Sequence, residues 1–129
     1  MKHYRELPNP TRHDQLLVSE LPKNIEFKLK RWFLSSSAEC GKPREGHFHR
    51  AGQQIIQCIS GSIKFTFWDG CSTKLVIMDD RSAPILLSSP LWRTYELLQT
   101  ESIFLVICDL NYEDSKTSYS EQEFLKALK

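Results

Sequence analysis

The chain has 129 residues, a length that suits one domain with its own core. Hydrophobic residues make up 40% and charged residues 26%, an ordinary globular balance. The formal net charge of +1 provides no broad field to draw nucleic acid or an anionic membrane, although a local arginine cluster is enough for a small anionic ligand.

The opening MKHYRELPNPTRHD is polar and lacks the apolar core of a signal peptide. No apolar run approaches the roughly 20 residues of a membrane span. The expected compartment is therefore the cytoplasm. Residues 1–24 read as an arm with one short strand near QLLVSE. IEFKLKRWFL alternates from Ile25 to Arg31 and then turns fully apolar, which predicts a strand. SSSAECGKPREG is rich in turn residues, with a loop at 35–37. HFHRAGQQIIQCIS predicts a strand broken near Gly52. In GSIKFTFW, Ile63, Phe65 and Phe67 share one face and Lys64, Thr66 and Trp68 the other. Asp69-Gly70 predicts a hairpin turn into CSTKLVIMDD. APILLSSPLWRTYELL supplies two short strands around Pro90, and SIFLVICDL is a nearly continuous apolar strand of the kind buried on both faces. In SYSEQEFLKALK the period changes to that of a helix over 120–128. Ser120 and Glu123 fit a capping box, and Phe124, Leu125 and Leu128 share a face. Eight or nine close-spaced strands and one terminal helix predict an all-β fold. Its form is an antiparallel sandwich or barrel of the jelly-roll type, with a ligand-sized mouth between the sheets.

The cysteines, Cys40, Cys58, Cys71 and Cys108, form no C-x-x-C pair, which argues against a zinc cluster. Cys58 and Cys108 lie in apolar runs and read as small buried hydrophobes, while Cys40 precedes Gly41 in a loop.

REGHFHRAGQQ, at 44–54, carries the chemistry. His47 and His49 alternate on an extended stretch and so point the same way. Three readings compete. The first is a metal site: cupin-type barrels hold metals with H-x-H, a following glutamate and a distant histidine. Here only Gln53 and Gln54 follow as near polar candidates, and His3 and His13 lie in the arm. Glu45, His47 and His49 form a local set that keeps a metal-dependent oxygenase open, although that spacing suits a facial triad poorly. The second is acid–base chemistry, in which an imidazole takes a proton from a carbon beside a carbonyl. Arg44, Arg93, Tyr95, Arg12 and His13 are available to stabilise the resulting oxygen charge. The third is simple packing, harder to sustain for a pair flanked by Arg44 and Gln54. Trp32, Trp68 and Trp92 suit a nucleobase stack or, more commonly, packing in the core or at a sheet rim.

The ordered landmarks decide between these readings. Arg44, His47, His49, Gln53 and Gln54, Gly61-Ser62 and Asp69-Gly70, followed by SSPLWRTYELL with Trp92, Tyr112 and the final EFL, resemble the signature of the TDP-4-keto-6-deoxyhexose 3,4-ketoisomerases. The resemblance spans residues 20–128. It implies a cupin jelly-roll barrel of antiparallel strands with a short C-terminal helix, usually a homodimer, and a reaction that needs no cofactor or metal. The implied substrate is a TDP-linked keto sugar whose carbonyl moves from C4 to C3 by enolisation, feeding 3-amino-3,6-dideoxy sugars into polysaccharide. By the same resemblance His47 is the base, and His49 assists proton movement between the oxygens. Arg44 meets the pyrophosphate or orders the pocket, Arg93 reaches the sugar, and Arg12 or His13 bears on product stereochemistry. Gln54 and Tyr95 complete the expected binding set. Three departures stand out. Glu45 replaces a glycine, which predicts backbone strain and a carboxylate that raises the imidazole pKa values. Phe48 replaces an alanine and should point into the core. Lys116 to Tyr119 replace an ion-pairing D-Y-I-R, a loss that leaves a non-catalytic sugar-nucleotide-binding cupin as a rival.

Overall fold

The structure is a computed structural model that describes residues 1–36 and 40–129; Ser37, in the expected loop, lies outside the described residues. Twelve strands and two short helices follow one another along these residues. They are β1 (Tyr4–Glu6), β2 (Thr11–His13), β3 (Leu16–Val18), β4 (Arg31–Ser35), β5 (Phe48–His49), β6 (Gln53–Ser60), β7 (Ser62–Trp68), β8 (Thr73–Asp79), β9 (Ile85–Ser88), β10 (Trp92–Leu97), β11 (Ile103–Cys108), α1 (Tyr112–Ser115), β12 (Thr117–Ser118) and α2 (Glu121–Ala127).

Two antiparallel sheets form the jelly roll. One has the order β1-β9-β6-β11-β4 and the other β10-β7-β8. Alternation in β6 and β7 explains why they face each other. Ile56 and Cys58 meet Ile63, Phe65 and Phe67 in one buried cluster, joined by Met78, Ile85, Leu87, Phe104 and Val106. The outward Lys64 and Thr66 stay half-exposed, as their spacing predicts. A second cluster of Phe48, Trp92 and Phe124, with Trp68 against it, closes the end of the roll beneath α2.

Several expectations change. The arm carries three strands, not one: β1 joins the large sheet beside β9, and β2 and β3 form a hairpin. The strand expected from Ile25 begins at Arg31. Arg31 pairs with Cys108, the last residue of β11, so residues 25–30 run past the end of their neighbour and have no ladder to join. As the edge strand of its sheet, β4 exposes Trp32 and Leu34 despite their apolar character. In β11 only the alternate residues Phe104, Val106 and Cys108 are buried, so one face of this apolar strand remains half-covered. The hairpin after β7 is closed by Asp69, whose carboxylate accepts from the amides of Cys71 and Ser72 at 2.9 and 2.7 Å. At α2 only half of the capping box forms. Ser120 accepts from the Glu123 amide at 3.2 Å, while the Glu123 carboxylate turns to Ser118 and Arg50. Of the three apolar residues expected on one face, Phe124 is buried and Leu125 and Leu128 are exposed. No helix among the described residues is long and apolar enough to cross a membrane.

Candidate active site

Between the sheets, under edge strand β4, lies a cavity of about 360 Å³, within the range of small-molecule sites. Its inner wall is apolar: Ile56, Phe65, Phe104 and Val106. Its polar lining is cationic. Arg31, Arg44 and Arg93 face it with His47, His49 and Gln54, and no Asp or Glu is among the described residues that line it.

Backbone pairing fixes the two histidines. His47 and Arg93 exchange backbone hydrogen bonds of 3.1 and 2.9 Å. His49 sits two residues on, in β5, with Thr117 of β12 directly opposite. The intervening Phe48 points away into the second core cluster, as expected, edge-on to Phe124 with ring centroids 5.2 Å apart. Its burial anchors the strand so that both imidazoles face the cavity. Their rings meet nearly perpendicular, 5.3 Å apart. Gly46 permits this close packing, because a Cβ there would lie 2.6 Å from the Trp92 indole. The glycine with a tight contact in this segment thus stands at 46. Glu45 is absent from the positive-φ residues and is exposed, so the strain expected there is not seen.

Arg93 forms the floor. It is only 4% exposed, and its Nη1 donates to Gln54 Oε1. Gln54 in turn donates to Cys108 Sγ at 3.3 Å. Buried Nε atoms of Arg93 and Arg31 have no hydrogen-bond partner among the described residues. Burial pulls the Arg93 pKa down to about 10, which still leaves it charged at neutral pH. Its charge acts on its neighbours. Burial first, and then Arg93, hold His47 down to about 4, opposed by a hydrogen bond to the Glu45 backbone. Burial, Arg93, His47 and Arg31 hold His49 at about 3. Both imidazoles are therefore neutral at physiological pH. The carboxylate effect expected from Glu45 is not seen: only its backbone acts on His47, and desolvation and the Arg93 charge dominate both imidazoles.

The rim is built from Arg44 and tyrosines. The Arg44 amide donates to the Tyr95 carbonyl at 2.7 Å, and its guanidinium lies 5.9 Å from the Tyr95 ring. Tyr95 also approaches Ser35 Oγ at 3.4 Å through its hydroxyl. Tyr119 packs 5.7 Å from the His47 ring.

The structure thus gathers His47, His49, Arg44, Gln54, Arg93 and Tyr95 in one cavity. Arg12 and His13 are not brought there. They lie on the exposed β2–β3 hairpin, where Arg12 pairs with Asp80 at 3.1 Å. Trp32 is exposed, and Trp68 and Trp92 pack in the second cluster, so none of the three lines the cavity. Glu45 does not line it either, and no group of three or more His, Cys, Asp or Glu among the described residues is arranged to hold a metal ion. Sequence reasoning assigned no site role to Arg31, Tyr112, Thr117 or Tyr119, all of which line the cavity. Arg31 lies at the end of the alternating run of cations, where its inward phase was the available signal.

Over 107 residues the chain is 23% identical to TDP-4-oxo-6-deoxy-alpha-D-glucose-3,4-oxoisomerase of Aneurinibacillus thermoaerophilus, covering 83% of this chain and 76% of that one. A 3,4-ketoisomerase from Helicobacter canadensis superposes with a TM-score of 0.84 at 22% identity, over 97% of this chain and 96% of its own. The WlaRB TDP-quinovose 3,4-ketoisomerase of Campylobacter jejuni superposes with a TM-score of 0.85 at 21% identity, over 98% and 99% of the two chains. The family described as FdtA: WxcM-like, C-terminal matches residues 2–129, and the chain belongs to that family.

Proposed function

We propose that this protein is a 3,4-ketoisomerase of a TDP-linked 4-keto-6-deoxyhexose. The observation that carries the proposal is a buried, charged and carboxylate-free Arg93 beside two neutral imidazoles. An unpaired buried cation is costly to fold around, and it suits a site where negative charge appears on a ligand oxygen. Enolisation of a ketose creates that charge. The activities of the similar proteins support the same reaction class.

In this mechanism His47 takes the proton from C3. The C–H electrons form the C3–C4 double bond, and the carbonyl electrons move to O4, where the Arg93 guanidinium charge stabilises them. His49 accepts the proton of the C3 hydroxyl and passes it to O4. The carbonyl then forms at C3, and His47 returns its proton to C4. No atom or electron is gained or lost, so no external redox partner is required. Arg44 at the rim suits the diphosphate, because its fork matches phosphate oxygens. Binding of that anion offsets the guanidinium charges and raises the histidine pKa values toward the range of an effective base.

The product chemistry suits the supply of 3-amino-3,6-dideoxy sugars for polysaccharide, since a ketone at C3 is what a C3 amination needs. Four free thiols fit a reducing compartment such as the cytoplasm. A homodimer is supported by β4, an unpaired edge on which Trp32 and Leu34 are 66% and 61% exposed. The direct test is to incubate the purified protein with TDP-4-keto-6-deoxyglucose and follow the sugar by proton NMR. A new 3-keto product supports the reading, and an unchanged spectrum at micromolar enzyme rejects it.

A further inference from the structure

We infer that Thr117 is a positioning residue that keeps the proton of His49 on Nδ1 and so leaves the Nε2 lone pair facing the cavity. The consequence for turnover rests on the ketoisomerase reading; the placement of the proton does not.

The contact is local and specific. Thr117 Oγ1 lies 2.8 Å from His49 Nδ1, and the two residues are directly opposed in the two-stranded pairing of β12 with β5. A hydroxyl can either donate to an imidazole nitrogen or accept from it, so the distance alone does not place the proton. The surroundings favour one placement. The Ser115 hydroxyl donates to the carbonyl of Tyr112 at 2.7 Å, and a carbonyl can only accept. The Ser115 oxygen is therefore free to accept, and it stands 3.5 Å from Thr117 Oγ1. The direction this favours runs from His49 Nδ1–H to Thr117, from Thr117 to Ser115, and from Ser115 to the Tyr112 carbonyl.

Electrostatics favours the same direction. Arg93 and Arg31 both act on the His49 ring as positive charges. An Nε2 lone pair toward cations is favourable, whereas an Nε2–H toward them is not. Among the described residues nothing hydrogen-bonds Nε2, and His49 lines the cavity, so that nitrogen is the one a ligand meets. A hydroxyl partner also fixes the tautomer without adding a charge that would draw a second proton onto the ring, as a carboxylate would.

The C-terminal segment is built to hold this threonine. Lys116 adopts a left-handed conformation, with φ 52°, and turns the chain from α1 into β12. Ser115 accepts from the Arg50 amide at 2.9 Å, and the Arg50 guanidinium donates to the Lys116 carbonyl at 3.2 Å. Arg50 also pairs with Glu123 at 2.7 Å, and Glu123 accepts from Ser118. Thr117 is thereby tied from both sides, and the segment that departs from the D-Y-I-R pattern has a purpose of its own in this chain.

The experiment is two-bond proton–nitrogen NMR of the histidine rings in the full-length protein and in Thr117→Val and Thr117→Ser, with kcat and KM measured on TDP-4-keto-6-deoxyglucose. The expected wild-type spectrum has His49 protonated at Nδ1, and Thr117→Ser keeps it. Thr117→Val is expected to shift the ring toward the Nε2–H form and to lower kcat by about 100-fold, with KM little changed, the lower end of what general acid–base catalysis contributes. Thr117→Ser should restore kcat to within about threefold of wild type. An Nε2–H tautomer in the wild type overturns the inference, and that spectrum decides it even if Thr117→Val does not fold. So does a Thr117→Val protein that keeps the Nδ1–H form and full kcat. If the wild-type tautomer is as stated but no keto sugar turns over, the ketoisomerase reading falls and the placement of the proton stands.

Discussion

Replacing Arg93 by methionine separates stability from activity, because the same charge acts in opposite directions on the two. The guanidinium is buried and faces no carboxylate in the cavity. Burial of an ion without a counter-charge costs several kcal/mol even after relaxation. Methionine removes that cost and fills much of the same space. It also strips Gln54 Oε1 of its donor, which costs about 1–3 kcal/mol. The balance runs from near zero to a few kcal/mol in favour of the variant. At about 3–5 °C per kcal/mol for a chain of this size, Tm should hold or rise by up to about 10 °C. Turnover should move the other way, falling about 10²–10³-fold, the effect of removing one donor aimed at a developing oxyanion. Scanning calorimetry gives the first number and NMR-monitored isomerisation the second. A Tm lowered by more than about 5 °C together with an unchanged kcat would show that Arg93 is a structural cation and refute the reasoning.

Other expectations follow from the same geometry. The folded pKa values of about 4 for His47 and about 3 for His49 lie below the ordinary 6.5, so between these limits the unfolded chain binds more protons than the native one. Stability should therefore be complete above about pH 6.5 and fall as the pH drops toward 3–4. Urea titrations across that window should show a shallower slope in His47→Gln and His49→Gln. Saturation with TDP should raise both histidine pKa values, seen as a displaced pH titration of the ring resonances; no displacement would contradict binding of the diphosphate in this cavity. Gly46→Ala places a Cβ against the Trp92 indole and should cost about 1–3 kcal/mol, read as a lower urea midpoint with an unchanged m-value. Trp32→Glu puts a charge on the exposed edge strand. Light scattering should report a dimer in the wild type and a monomer in the variant; a monomeric wild type removes the dimer from the account.

The strand that carries His47 and His49 was legible because its information is local. A period of two sends His47 and His49 one way and Phe48 the other, and the fold keeps that division. The inward faces of β6 and β7 were legible for the same reason. Long-range partnership was not. Thr117 reaches His49 across 68 positions, through a two-residue pairing with no periodicity of its own. Arg31 shares the apolar phase of its segment, but only the pairing of β4 with β11 turns that phase toward the cavity. Trp32 and Ile25 failed in a related way: polarity alternates along their segment, but exposure is decided by which strand lies beside it. Arg12 and His13 were expected near the ligand by resemblance, but they lie on an exposed hairpin that does not line the cavity.

The central claim is that paired neutral imidazoles, with a buried guanidinium opposite, move a proton between adjacent carbons of a sugar. Its most direct measurement is solvent deuterium exchange at C3 of TDP-4-keto-6-deoxyglucose in heavy water, in the wild type and in His47→Ala. The account predicts rapid exchange by the wild type and its loss in the variant. Exchange retained at the wild-type rate in His47→Ala would contradict it.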